Sequence, residues 1–472
     1  MATRIEAPAW QWGLLFIAAA IGVLAGVDPV IGLVTALGLA FVALAFADLL
    51  AGLCVFLVIS FLDVVPDVLP LTELVPGIPF AIGITKFVGL LLAMSWLARV
   101  ASVPHVARRG FLGDQPAFSL ALIAFLAWVA LSSLWAESFT NSGEALLRFG
   151  LNILLIPIVY AAVRTRKHIA LVLSAVVLGA IASAVVGTAS GVGFRLAGAT
   201  VEPNELAATL VAGLALAGGL AAATDRPSLR RVAVGAAAVC AVGVVLTASR
   251  AGLLAMGVVL LAALLFAGRL RGPAITAGAL VVVGCLAYFA ALAPPDARER
   301  VTTLETTGRA DIWTVAWRMV EDKPLHGVGA NNFTTASVHY LLEPGELERS
   351  DFIVDKPKVA HNIYLHLLAE LGIIGLGLFL AILLASLRLS LKAASRFRQL
   401  GDQQSEMMSR AVVLALIGLL TTDFFASTQF SNQLWFLIAV GPALWALARA
   451  EGAESAQEDS FAGTHRAVPA FR

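Results

Sequence analysis

Charge is scarce in this chain. Of its 472 residues 13% are Asp, Glu, Lys or Arg, against 59% hydrophobic, and the mean hydropathy is +0.89, which excludes a soluble globular domain. Cysteine is nearly absent. Cys54, Cys240 and Cys285 fall in separate apolar stretches at unrelated spacings, so they read as small buried residues rather than as a disulfide or a metal site. The apolar runs lack the alternation of a membrane β-barrel; they are continuous over about 17 to 22 residues, close to the roughly 20 that a helical span needs. With a formal net charge of +1, no bulk field points to nucleic acid. Histidines and carboxylates nowhere take metal-ligand spacing, and no cofactor is expected. The Gly-rich stretch at Gly327 to Phe333 lacks the Gly-Lys-Ser/Thr ending of a phosphate loop and reads as a turn between two interfacial helices. No inverted repeat of the transporter kind is visible, and the first apolar run is too long and too weakly flanked for a cleaved signal peptide.

What is there is a succession of apolar windows, near residues 9–27, 30–46, 49–65, 80–98, 117–135, 145–163, 169–189, 205–223, 232–247, 251–267, 274–293, 372–390, 411–427 and 433–448. The second and third are short and separated only by Ala47 and Asp48, so the count of transmembrane helices is 12 to 14 in an all-α, polytopic helical membrane protein. Arg99, Arg108 and Arg109 follow the fourth window; Arg164, Arg166 and Lys167 the sixth; Arg226, Arg230 and Arg231 the eighth. Arg269 and Arg271 follow the tenth, and Arg388, Lys392, Arg396 and Arg398 the twelfth. Every cluster follows an even window, so the positive-inside rule puts both termini in the cytoplasm and the odd-to-even loops outside. The organisation is then N-terminal spans (1–115), central spans (116–293), one large external loop (294–371), C-terminal spans (372–450) and a disordered cytoplasmic tail (451–472).

The large loop is the only long polar interruption. Within it ADIWTVAWRMV places Ile312, Val315, Ala316, Met319 and Val320 at helical spacing before Lys323 and Pro324, which predicts an amphipathic helix lying on the bilayer surface with Trp313 and Trp317 at headgroup depth.

Arg195, Arg250 and Arg309 stand on the external side against the positive-inside bias. Arg250 reads as a snorkelling anchor or an anion contact, and Arg195 and Arg309 as solvated loop charges or anion contacts, since guanidinium grips phosphate with two parallel hydrogen bonds. Acidic residues outnumber basic ones across the loop, so an anion site there consists of a few placed arginines. His361 precedes a short helix on which Asn362, His366 and Glu370 form a polar stripe; it is either an interfacial histidine or the base that takes a proton from a sugar hydroxyl. His326 and His339 have no constellation around them and read as structural. Lys86 and Asp423, near the outer ends of spans, are site candidates or snorkelling charges.

Taken together, FRLAGATVEPNELA (with Arg195, Gly198, Pro203 and Asn204), TASRAG, GRADIWTVAW followed by KPLHGVGANNF, and HNIYLHLLAELGIIGLGLF resemble, in order and placement, the bacterial O-antigen ligase and O-antigen polymerase family of membrane glycosyltransferases. The resemblance runs from about Leu120 to Trp445. It implies a fold like the C-type glycosyltransferases, in the bacterial inner membrane, with the active site facing the periplasm. It implies transfer of a glycan from undecaprenyl diphosphate to a hydroxyl on another glycan, a lipid A core or another acceptor, without metal or nucleotide sugar. By that likeness Arg195, Arg250 and Arg309 hold the diphosphate, His361 orients or deprotonates the acceptor hydroxyl, and Asn204, Asn362 and Glu370 support them. Cations fixed around a departing diphosphate stabilise the transition state more than the ground state, and attack from the opposite face inverts the anomeric centre. The competing classes are a transporter or flippase for lipid-linked glycan, for which the many spans speak, and a scaffold in an envelope complex, which the small cytoplasmic loops do not favour.

Overall fold

The computed structural model describes the backbone of residues 18–19, 22–62, 84–102, 110–189, 193–198, 202–266, 271–303, 309–341 and 359–466, and every regular element among them is helical. In chain order these are α1 (Pro29–Ala47), α2 (Leu49–Ser60), α3 (Ile84–Ser102), the single turn α4 (Phe111–Asp114), α5 (Pro116–Ser132), α6 (Phe139–Ala162), α7 (Arg166–Ala189), α8 (Pro203–Ala223), α9 (Pro227–Leu246) and α10 (Arg250–Phe266). Then come α11 (Arg271–Ala287), prolonged by a wide turn at Tyr288–Leu292, α12 (Pro295–Thr302), α13 (Arg309–Asp322), α14 (Phe333–Leu341), α15 (Ile363–Gln399), α16 (Gln403–Thr422) and α17 (Asn432–Arg466). Nine described helices are long and apolar enough to cross a membrane, and four shorter apolar ones accompany them; together they occupy the second to the fourteenth expected windows. The chain is a multi-pass helical membrane protein. Most of the first window, the loop Pro66–Pro79 and nearly all of Leu341–Val359 lie outside the described residues. Helix α17 continues to Arg466, through most of the stretch expected to be an unstructured tail.

Helix α8 lies at the centre because small side chains let its neighbours come close. Gly219 meets the Ala411 methyl of α16, Gly213 meets Cys240 of α9, and Gly252 of α10 meets Ala207; in lipid, where apolar burial no longer drives association, such close packing does. A second centre is aromatic. Trp435 of α17 is fully buried among Phe125, Phe149 and Phe379, and its indole N–H donates to the Gln429 carbonyl at 2.8 Å. Helix α11, by contrast, has no buried residue, as suits a span facing lipid on nearly all sides.

The helix ends sort into two sets. At one end Arg99 donates to the carbonyls of Phe46 and Ala47, Arg166 pairs with Asp402 (3.4 Å) and Glu451 (3.7 Å), Gln404 donates to Asp225 (3.0 Å), and Arg410 reaches the Phe266 carbonyl. At the other end Arg195 meets Thr247 and Asn204, Arg250 meets Thr303, Ser138 meets Asn332, and Asn141 meets Thr335. The first set is the one expected to be cytoplasmic, the second the one expected outside, so the alternation of the charge clusters and the contacts agree on which ends lie together.

Helix α13 buries Ile312, Val315, Ala316, Met319 and Val320, the face the spacing predicts, and stops before Lys323. It does not rest on the bilayer through that face. Those side chains form a small core with Val328, Phe333, Ala336 and Tyr340 of the loop and α14, and with Ala360 and Ala369 at the start of α15. Trp313 turns inward, its indole donating to the Ala360 carbonyl at 2.8 Å, while Trp317 remains 52% exposed. The apolar face expected to meet the bilayer is instead covered by the loop, α14 and the start of α15.

Helix α15 is two helices joined at Gly372, whose φ of 66° and ψ of −172° interrupt the α conformation. A break exposes carbonyls, and the loop before α14 satisfies them. Val328 N–H donates to Ala369 O (2.9 Å), Gly329 N–H to Glu370 O (2.8 Å) and the Trp128 indole to Leu371 O (2.9 Å), while Ile373 N–H donates to Pro324 O (2.9 Å). Only glycine fits at the crossing: a Cβ on Gly372 would lie 2.2 Å from the Leu325 carbonyl, and one on Gly327 2.3 Å from that of Glu370. The GVGANNF stretch is thus the cap of a broken helix.

Candidate active site

The turn between α9 and α10 organises the cationic end. Thr247 caps α9, Ala248 takes a left-handed φ of 46°, and the Ser249 hydroxyl accepts from the Gly252 N–H at 3.2 Å to start α10, so Arg250 opens that helix. The loop at residues 193–198 lies against this turn. Leu196 N–H donates to Leu246 O (3.1 Å), Arg195 Nε donates to Thr247 O (2.9 Å), and Arg195 Nη2 donates to Asn204 Oδ1 (3.3 Å), which also accepts from the Ser249 hydroxyl (2.9 Å). Asn204 therefore joins three segments. On the other side Arg250 Nη1 donates to Thr303 O at 2.6 Å, and Ala248 packs with Ala293 and Ala297, seating α12 on the turn.

Arg195, Arg250, Arg300 and Arg309 lie near enough for their charges to act on one another. All four are half-buried. Burial pushes the Arg195 guanidinium down to about 10, and the charges of Arg300 and Arg309 add to the fall while Glu202 opposes it. Arg300 is lowered by burial and then by Arg250; Arg309 by burial and then by Arg250 and Arg300, again opposed by Glu202. Arg300 Nε is buried with no hydrogen-bond partner. Among the described residues Glu202 is the carboxylate that opposes these repelling cations, an arrangement that favours a bound anion.

Arg300 was not foreseen. In DARER it alternates with acids and reads as a solvated mixed-charge run. The signal that separates it from Arg298 is the register of α12: Arg298 and Glu299 are exposed, Ala297 is buried and Arg300 turns half inward beside Val301.

His361 hangs from the same segment. The preceding Ala360 carbonyl is held by Trp313, one helical turn beyond Arg309 on α13, and the following Asn362 caps α15 by accepting from Tyr364 and Leu365 N–H, both at 3.0 Å. Between these two anchors His361 takes a left-handed φ of 49° and is half-buried. A non-glycine residue in that region is a marker of functional constraint.

Glu370 works on the loop rather than on His361. It is 2% exposed, its two oxygens accept from Asn331 N–H (2.9 Å) and Phe333 N–H (3.0 Å), and His366 Nε2 lies 3.1 Å away. His366 is itself stacked on Phe333 and bonded to the Ser427 hydroxyl at 3.1 Å. His326 rests against Trp135, and His339 pairs with Glu137 at the surface. Asp423 is fully buried and accepts from the Thr428 hydroxyl at 2.6 Å. Among the described residues no three His, Cys, Asp or Glu side chains converge as metal ligands would.

Comparison with known families falls on this region. Residues 235–380 match the family model described as O-antigen ligase. Over that stretch the chain resembles O-antigen ligases. That match supports assignment to the O-antigen ligase and polymerase family, a glycosyltransferase type that takes a lipid-linked glycan donor and a glycan acceptor. The matched stretch includes Arg250, Arg300, Arg309, His361, Asn362 and Glu370; Arg195 and Asn204 precede it and join the domain through the contacts above. No curated protein matches the chain.

Proposed function

We propose that the protein transfers a glycan from undecaprenyl diphosphate to an acceptor hydroxyl at the outer face of the bacterial inner membrane, with both termini cytoplasmic. The observation that supports this reading is the proximity of four half-buried guanidinium groups, with Glu202 the carboxylate that opposes them among the described residues. Arg195, Arg250, Arg300 and Arg309 hold the diphosphate, and Asn204 fixes Arg195. His361 takes the proton of the acceptor hydroxyl; the hydroxyl oxygen attacks the anomeric carbon from the face opposite the diphosphate; the bond from that carbon to the phosphate oxygen breaks, and the diphosphate leaves with the electron pair and the donor lipid. The product is inverted at the anomeric carbon. The arginines supply the charge stabilisation that a divalent ion gives elsewhere, so the reaction proceeds without metal. Asn362 and Glu370 act at one remove, by capping the helix behind His361 and by fixing the loop across it.

The test uses purified full-length protein, a lipid diphosphate-linked glycan and a glycolipid acceptor, with EDTA present. Product is expected from the native chain and none from His361→Ala at equal folded yield. Undiminished product from His361→Ala removes the base assignment. Translocation of donor across vesicles without any glycosidic product replaces the transferase reading with a flippase.

A further inference from the structure

A second cation-lined cavity lies apart from the arginine cluster. It measures about 120 Å³, and its polar lining is Thr85 and Lys86 in the first turn of α3, Arg148 and Asn152 on α6, and Asn432 at the start of α17. That is roughly eight times the ~15 Å³ that one water needs, room for a headgroup phosphate. Arg148 is positioned by Phe430, whose ring lies 4.3 Å from the guanidinium carbon, and by Glu144 at 3.6 Å. The Asn152 amide donates to the Phe430 carbonyl at 3.1 Å. Thr85 is 3% exposed, and its hydroxyl has no hydrogen-bond partner among the described residues; a buried polar atom in that state is rare. Leu155 and Ile158 continue the cavity as an apolar wall.

The polar groups here are mainly hydrogen-bond donors of two cationic side chains, a hydroxyl and amides, set at one end of an apolar wall, inside spans where charge is costly. That is the layout for an anionic headgroup with its chain beside it. The same loop that presents Ser427 to His366 presents Phe430 and Asn432 to this cavity, so the two regions share a wall. We propose that Lys86, Arg148 and Thr85 form a binding site for the phosphate of an anionic lipid headgroup, independent of the diphosphate site.

The experiment measures binding of short-chain phosphatidylglycerol to the detergent-solubilised full chain by microscale thermophoresis, with phosphatidylcholine of equal chain length as reference and inorganic phosphate as competitor. Phosphatidylglycerol is expected to bind more tightly than phosphatidylcholine, with affinity about tenfold weaker in Lys86→Gln and in Thr85→Val and unchanged in Arg309→Gln. Thr85→Val preserves shape, so it reports on the site if Lys86→Gln folds poorly. Inorganic phosphate binding with the same Lys86 dependence, without lipid binding, overturns the lipid source. Native affinity retained in both Lys86→Gln and Thr85→Val, or loss only in Arg309→Gln, overturns the site.

Discussion

Replacing Arg300 by Gln should move stability and activity in opposite directions. In the folded chain Arg300 is half-buried, repelled by Arg250, and carries a buried Nε without a partner. Removing its charge relieves repulsion on Arg195 and Arg309, a gain held to about 0.5–1 kcal/mol because these side chains are partly exposed and screened. It also removes an unsatisfied buried donor that costs roughly 1–3 kcal/mol. The ligand-free variant should therefore be more stable by about 1.5–4 kcal/mol, seen as a Tm a few degrees higher in detergent. Against that, a hydrogen bond to a charged group is worth about 1.5–3 kcal/mol, so loss of one guanidinium from the departing diphosphate should lower kcat/KM by about ten- to a hundredfold. Scanning fluorimetry and a glycan-transfer assay on the same preparation read both. A variant with lower Tm and native kcat/KM would show that Arg300 is a structural charge, and the anion-site argument for the cluster would lose its strongest member.

His361→Gly keeps a residue at ease with φ 49°: relief of strain and the added freedom of the unfolded chain, each about 1 kcal/mol, offset, so Tm should hold while transfer falls by about 10²–10⁴-fold; retained transfer refutes the base. Gly372→Ala sets a Cβ 2.2 Å from the Leu325 carbonyl and should cost more than about 3 kcal/mol, whereas Gly377→Ala on the same helix, with open space around it, should change stability by less than about 1 kcal/mol; the pair is read as Tm and monodisperse yield. Arg195 sits at about 10, below the ordinary guanidinium range, so above about 10 the folded chain holds fewer protons than the unfolded one, and stability without anion rises with pH there. Diphosphate affinity has the reverse sign: flat through neutral pH and falling as pH passes about 10, measurable by calorimetry with a water-soluble diphosphate.

Helical spans were legible because each must satisfy its own backbone in lipid and so writes a continuous apolar window; every window that falls on described residues holds a helix. The amphipathic face of α13 was legible for the same periodic reason. What covers that face was not, because a helix stripe of Ile312, Val315 and Met319 is equally suited to lipid and to Phe333 and Tyr340. The break in α15 was visible only as a boundary. Its sign is Gly372, but many glycines sit in these helices, and what singles this one out is a contact with Leu325, 47 positions earlier.

The site divides along the same line. Arg195, Arg250 and Arg309 can be picked from the chain because a positive charge on the outer side runs against a statistical bias, a property each residue carries alone. Arg300 cannot, since its role depends on which way one turn of α12 faces, and α12 is oriented by Ala297 resting on Ala248. Glu370 shows the converse. Its place in a polar stripe with His366 and Asn362 was readable, yet the stripe serves three separate tasks: Asn362 caps a helix, Glu370 binds the backbone of Asn331 and Phe333, and His366 bridges Glu370 to Ser427. The Asn362 cap holds the backbone on one side of His361 and Trp313 holds it on the other. An imidazole on a left-handed residue between two such anchors cannot drift with its loop; on the proposed reading this fixes the base while arginines from four different segments hold the diphosphate, the positioning that in-line displacement requires.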